Sequence, residues 1–320
     1  MRQNNNTLPA SFGLPTGCGF RCLGRVRGLC GLMAFAFLLF FLGAGQLAAA
    51  EEAKNFLWRL DSPQGRQAYI MGSLHLAHAG LYPLNDKIME AFGQSDFLVV
   101  EINSEDMDPA LMERFIKDHG YVAGGRPLAE RLSEKTSRAL KDSGFYQNRM
   151  AAMTPWLAAL AIQVEVMHKQ GFRAEYGLDK YFIDRAKERK IRILELENLD
   201  QQMGMLVEMS QEEDDLFLLS TLLEMDDLPK VMTAFLDSWA AGNVDGFAEA
   251  FFKEYHKYPE LKPLLDIIIF RRNQEMAAKI ENLMNEEAGV GFIVIGAGHL
   301  ISDRSVLAEL VGKGWRASQL

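Results

Sequence analysis

Two apolar runs, residues 56–60 (FLWRL) and 67–73 (QAYIMGS), flank Ser62-Pro63-Gln64-Gly65. Apolar runs joined by a Pro/Gly turn predict a β-hairpin. Residues 84–93 place Ile88, Met89 and Phe92 on one helical face, and residues 97–102 form a short apolar run of the kind a strand buried on both faces shows. Helical spacing recurs over residues 129–143, 150–168 and 177–190, and an apolar strand follows at 191–196. From 201 to 285 the pattern is almost wholly helical, with breaks near Pro229, Gly242, Pro259 and Pro263. Residues 291–296 (GFIVIG) predict another buried strand, 302–312 a helix with Ser302 as its N-cap, and 315–320 an edge strand. Strands separated by helices predict an α/β fold. Its mostly parallel or mixed central sheet is surrounded by helices, with a large helical insertion, about residues 129–285, between the later strands.

Composition supports a globular chain: 48% of the 320 residues are hydrophobic and 24% charged. Charge is divided unevenly. Residues 1–50 hold Arg2, Arg21, Arg25 and Arg27 and no Asp, Glu or Lys, so the remainder carries 30 Lys+Arg against 43 Asp+Glu, a formal charge of -13. An acidic body repels phosphate backbones, which argues against nucleic acid as a partner.

The N-terminal order is that of a secretory signal. Arg21, Arg25 and Arg27 precede an apolar run over residues 29–42, and Ala48-Ala49-Ala50 stands directly before Glu51. The apolar run is shorter than the roughly 18 residues of a spanning helix, so cleavage is expected and contact with a membrane only through the signal or an uncleaved anchor. Residues 51–320 are then a single domain, periplasmic or secreted. Cys18, Cys22 and Cys30 all lie in the leader, which leaves the remainder without disulfides, thiol nucleophile or cysteine-ligated zinc.

Gly72-Ser73-Leu74-His75 ends one predicted strand and Gly296-Ala297-Gly298-His299 ends another. Open α/β sheets bind ligands beyond the carboxyl ends of their strands, so both imidazoles are expected on that rim. Glycine allows a sharp turn there and a close approach of ligand to backbone. A lone histidine after a strand is more often a structural hydrogen-bonding residue; two matching motifs among six histidines favour function. Glu101 and Glu197 follow two further apolar runs, with Glu195 on the same face as Glu197. A buried carboxylate needs a cation, a metal or a donor. The bland solution is an ion pair with Arg271 or Arg272. The sharper one is a divalent-metal set, since imidazole suits zinc and other transition metals and carboxylates also suit manganese. His78, His119, His168 and His256 read as ordinary residues, and Met203, Met205 and Met209 as core packing. No P-loop, Gly-x-Ser-x-Gly elbow or His-Glu-x-x-His helix is present, which argues against those mechanisms, not against hydrolysis.

An ordered set of motifs resembles the TraB/GumN family across nearly all of residues 51–320. It comprises Gly72-Ser73-Leu74-His75, Tyr82-Pro83-Leu84, Ser95-Asp96, Val99-Val100-Glu101, Pro155-Trp156 and Gly177-Leu178-Asp179. Leu196-Glu197 with Gln202, Trp239 with Gly242, Arg272-Asn273 with Met276, and Gly296-Ala297-Gly298-His299-Leu300 complete it. The resemblance implies an α/β fold like that of erythromycin-esterase-type and ChaN-like proteins. It also implies a metal-dependent hydrolase, a peptidase first, with His75, Glu101 and His299 as catalytic and metal-binding residues. Glu197 and Arg272 complete the candidate site, Arg272 steadying a carboxylate or a developing oxyanion. The expected cofactor is a divalent manganese, cobalt or zinc ion, and the expected substrate a peptide or small envelope component. The alternative is a non-catalytic envelope protein that sequesters such a ligand on the same fold. Two departures stand out. Thr154 precedes Pro155-Trp156 where the family often has lysine, and Ile301-Ser302-Asp303 follows His299-Leu300 where a glycine is common, which bears on loop shape.

Overall fold

The structure, a computed structural model, describes residues 54–225 and 227–320. The leader and its signal-peptide reading lie outside the described residues. Six strands form one mixed sheet: β1 (Leu57–Asp61), β2 (Gln67–Ser73), β3 (Phe97–Val100), β4 (Arg192–Glu195), β5 (Gly291–Gly296) and β6 (Arg316–Gln319). Their order is β4-β3-β5-β2-β1-β6. β4, β3, β5 and β2 run parallel, while β1 pairs antiparallel with both β2 and β6.

The helices before β4 are α1 (Asp86–Gly93), α2 (Pro109–His119), α3 (Leu128–Arg131), α4 (Glu134–Asp142), α5 (Pro155–Lys169) and α6 (Leu178–Arg189). Those after it are α7 (Leu199–Val207), α8 (Gln211–Glu224), α9 (Leu228–Ala240), α10 (Val244–Lys257), α11 (Lys262–Leu265), α12 (Arg271–Glu286) and α13 (Val306–Gly312). β4 thus divides the expected insertion into two helical stretches. Among the described residues no helix is long and apolar enough to cross a membrane.

Three helix boundaries differ from the periodicity, each for a local reason. The helix expected over 129–143 is two, because Leu132 is extended and Ser133 starts α4 by accepting from Thr136 N–H. α5 begins at Pro155 rather than near 150; proline suits a first turn because it has no N–H to satisfy. The N-cap of α13 is Ser305, which accepts from Ala308 N–H, and not Ser302. Ser302 instead takes φ 108°, a conformation glycine adopts freely and other residues hold at a cost of about 1–3 kcal/mol. The loop after His299-Leu300 therefore keeps a glycine-like backbone without a glycine.

Two apolar clusters carry the packing. One joins the sheet to α1, α6 and α12 through Phe97, Phe182, Phe292 and Ile280, all fully or almost fully buried. The other lies among the helices and centres on Trp156, Leu140 and Leu218. Asp214 of α8 borders this second cluster. Its Oδ1 is buried with no hydrogen-bond partner among the described residues. Burial pushes the Asp214 carboxyl up to about 7, against the lowering influence of Trp156 N–H and the Arg131 charge. An acid whose folded pKa is raised binds protons more tightly when folded, so its contribution to stability is lost as pH rises from about 4 through about 7. Asp214→Asn removes that dependence. Thermal melts at about pH 4 and about pH 8 should show the variant gaining on the parent protein only at the higher pH. An equal difference at both would refute the burial argument.

Candidate active site

Because β2, β3, β4 and β5 are parallel, their carboxyl ends share one rim of the sheet. The register sets Ser73 beside Gly296 and Val100 beside Glu195. The residues just beyond those ends are His75, Glu101, Glu197 and His299. The ladder continues one step past β3 and β4, with Glu197 N–H donating to the Glu101 carbonyl at 2.8 Å. All four sequence-predicted side chains thus gather at one place, and Arg272 enters from the start of α12.

Glu101 is the centre. Its Oε1 accepts from Gly296 N–H at 2.5 Å and lies 4.0 Å from the Nε2 atoms of both His75 and His299. Its Oε2 accepts from Arg272 Nη2 at 2.6 Å. Arg272 also forks onto Glu197, with Nε and Nη2 each 2.8 Å from a carboxylate oxygen. One guanidinium therefore holds both carboxylates, so the simple ion-pair expectation is met by Arg272 twice over. Arg271 instead turns outward, its Nε donating to the Asp266 carbonyl. Glu195 takes no part either; its Oε1 accepts from Asn103 N–H. A π-helical turn, Asp266–Phe270, leads into α12, and Arg272 Nη1 donates back to the Ile268 carbonyl within it. π-turns are frequent at functional sites.

Each imidazole is oriented through its other nitrogen. His75 Nδ1 lies 2.8 Å from Asp179 Oδ2, and Ser73 Oγ donates to Asp179 Oδ1 at 2.9 Å. His299 Nδ1 lies 2.6 Å from Asn273 Oδ1, and Asn273 Nδ2 donates to the Arg304 carbonyl at 2.7 Å. These contacts assign the proton to Nδ1 in both rings and turn both Nε2 atoms toward Glu101. Asp179 and Ser73 stand outside the sequence-predicted site residues, and the sequence assigns Asn273 no role in the site. Asp179 is 104 residues from His75, and its only signal was membership of the Gly177-Leu178-Asp179 motif.

The two rings sit in opposite electrostatic surroundings. The Asp179 carboxylate, ahead of the opposing cost of burial, raises His75 to about 10. Its ring borders an open cavity and is 59% accessible, so water reaches it although protein atoms pack behind it. Burial lowers His299 to about 4, with Glu101 opposing. For Glu101, burial is the largest influence and works against ionisation. The charges of His299, His75 and Arg272, with Gly296 N–H, outweigh it and hold the carboxyl down to about 2.

The motif glycines work through the missing Cβ rather than through an unusual turn. A Cβ on Gly296 would stand 3.1 Å from Glu101 Oε1 and 3.4 Å from His75 Nε2. A Cβ on Gly72 would strike the Phe56 ring at 2.5 Å. The Gly72 carbonyl also accepts from Trp239 Nε1 at 2.6 Å, which ties α9 to the sheet beside the first motif.

The donor types fit a divalent ion once His75 releases its Nε2 proton: two imidazole nitrogens, each ring oriented through Nδ1, and one ionised carboxylate. They do not form a closed cage, since among the described residues no three His, Cys, Asp or Glu side chains come together as one. Beside them opens a cavity of about 530 Å³, lined by His75, Glu101, Arg272 and His299 together with many apolar side chains.

The family model described as TraB/PrgY/gumN matches residues 56–319. Two curated relatives, each called uncharacterized protein YbaP, come from Shigella flexneri and Escherichia coli (strain K12). Each is 25% identical over 170 residues, covering 51% of this chain and 61% of the relative's own length. No solved structure gives a significant match.

Proposed function

Since the chain belongs to the TraB/PrgY/gumN family, we propose that it is an exported, metal-dependent hydrolase, a peptidase first, whose reacting centre lies between His75 and His299. One observation carries this reading: both Nε2 atoms face the same Glu101 oxygen at 4.0 Å while Asp179 and Asn273 lock the rings from behind. A divalent ion held by His75, His299 and Glu101 would supply Lewis-acid polarisation of the scissile carbonyl and acidify water.

The chain's own groups serve hydrolysis in stated ways. Water must lose a proton and the leaving group must gain one, so the site needs groups of unequal proton affinity. His75 and His299 are pulled apart in that sense by Asp179 and by burial. Protons and cations compete for the same Nε2 atoms, which makes cation affinity rise with pH. Arg272 keeps Glu101 ionised and oriented.

The test starts with protein stripped by a chelator. Manganese, cobalt or zinc is added back, a peptide library is incubated with each, and products are read by mass spectrometry. The expected result is cleavage restored by one of these ions and lost in His75→Ala and His299→Ala. Folded protein that cleaves nothing with any ion would overturn the proposal. If it still binds an envelope peptide or saccharide with no metal present, the sequestration reading replaces it.

A further inference from the structure

The apolar space beside the paired histidines extends well beyond what a scissile bond needs. The cavity of about 530 Å³ is lined by His75, Glu101, Arg272 and His299, with Glu224 as a further charged residue, while Leu160, Met203, Met232 and Phe251 supply much of its apolar wall. Leu160 and Met203 also wall a second, larger groove of about 890 Å³. These two side chains therefore stand between the two spaces and border both.

The sequence of α5 explains the groove. Trp156, Ala159 and Val166 face the core and are buried. Leu157, Leu160, Ala161 and Val164 recur at spacings of three and four on a second face, and all four line the groove. Val164 is 44% exposed. A solvated helix face ordinarily carries polar residues, so an apolar stripe here is a surface that expects a ligand. The charged residues at the rim are engaged with one another: Arg149 and Lys169 both pair with Glu165, at 3.3 and 2.9 Å. Few polar groups face into the trough. A peptide backbone laid along it would leave buried N–H and C=O groups without partners, which is unfavourable. A hydrocarbon chain has no such groups, and flexible methionine walls adapt to it.

We propose that this groove holds the aliphatic chain of an acylated substrate, which passes between Leu160 and Met203 so that its acyl carbonyl reaches His75 and His299. The position of the carbonyl rests on the hydrolase reading above; the chain site rests on the groove walls alone. Water then adds across the acyl bond. Its oxygen and one proton become the hydroxyl of the released fatty acid, its other proton goes to the departing amine or alcohol, and no oxidant or reductant is needed.

The experiment is a binding titration of the purified chain with dansylundecanoic acid, a fluorescent fatty acid, followed by competition. Emission should rise saturably, and palmitate should displace the probe while acetyl-trileucine amide should not. Val164→Asp places a carboxylate in the trough, and Ala161→Phe fills it with apolar bulk. Both should weaken probe binding by about tenfold or more while unfolding near the parent temperature. Absence of saturable binding, parent-like affinity in both groove variants, or displacement by the tripeptide in preference to palmitate would each overturn the proposal. Because binding needs no turnover, protein that holds the chain but hydrolyses nothing would sink the hydrolase reading and leave the groove assignment standing.

Discussion

Arg272→Met lowers stability by about 3–5 kcal/mol, the largest loss expected from any single change at the site. The guanidinium is nearly buried and answers two carboxylates that are more deeply buried still. Methionine matches its bulk and removes only the charge and the donors. Glu101 and Glu197 are then left close together, joined through their backbones, with no cation between them. Breaking a buried pair costs more than the pair contributes, because an uncompensated charge remains out of water. The variant must protonate a carboxyl to fold, so its deficit shrinks as pH falls toward the carboxylate range. Arg272→Lys restores the charge but not the fork and should recover only part of the loss. Urea unfolding at about pH 7 and about pH 5 measures all three. A loss under about 1 kcal/mol at neutral pH would show that Arg272 is not the keystone of this cluster.

On the proposed hydrolysis, Glu101→Gln should abolish most activity while leaving the fold in place. The side chain keeps its shape, but the amide carries no charge and has one acceptor oxygen where the carboxylate has two. It meets two donors, Gly296 N–H and Arg272 Nη2, and satisfies only one. A fall in kcat/KM of about a thousandfold is expected from loss of a positioned charge at a reacting centre. A second measurement is independent of any substrate. The Glu101 charge raises the proton affinity of both imidazoles, so its removal should move both ring titrations, followed by NMR, to lower pH. Unmoved titrations would mean that Glu101 does not face the two rings as drawn, and near-normal turnover would remove it from the chemistry.

The chain displayed its strands, most of its helices and the outline of its site, but nothing in its reading marked α2 (Pro109–His119). Alternating and continuous apolar runs located all six strands to within a residue or two, because a strand's side-chain period is short and its burial shows directly in composition. The paired Gly-x-x-His motifs were visible because each is local. The strand preceding a motif predicts that its histidine reaches the rim, and parallel pairing makes every rim residue a neighbour of the others. That logic also found Glu101 and Glu197. Helix boundaries were less legible. Leu132 breaks a regular apolar pattern through its backbone alone, and Ser302 carries a glycine's conformation that its side chain does not announce.

Pairing between distant segments belonged to the tertiary structure. Asp179 stands in the first turn of α6 and reaches His75 only because α6 packs across β3 and β5. Asn273 reaches His299 because the π-turn before α12 sets the rotation of that helix. The same rotation lets Arg272 bridge two carboxylates, where periodicity offered Arg271 and Arg272 as equals. The groove on α5 is a similar case, since an apolar stripe looks the same in sequence whether a neighbour covers it or not. Period and composition report what each element can bury. Which face meets which is fixed by packing summed over the whole core, and no single stretch of residues contains that sum.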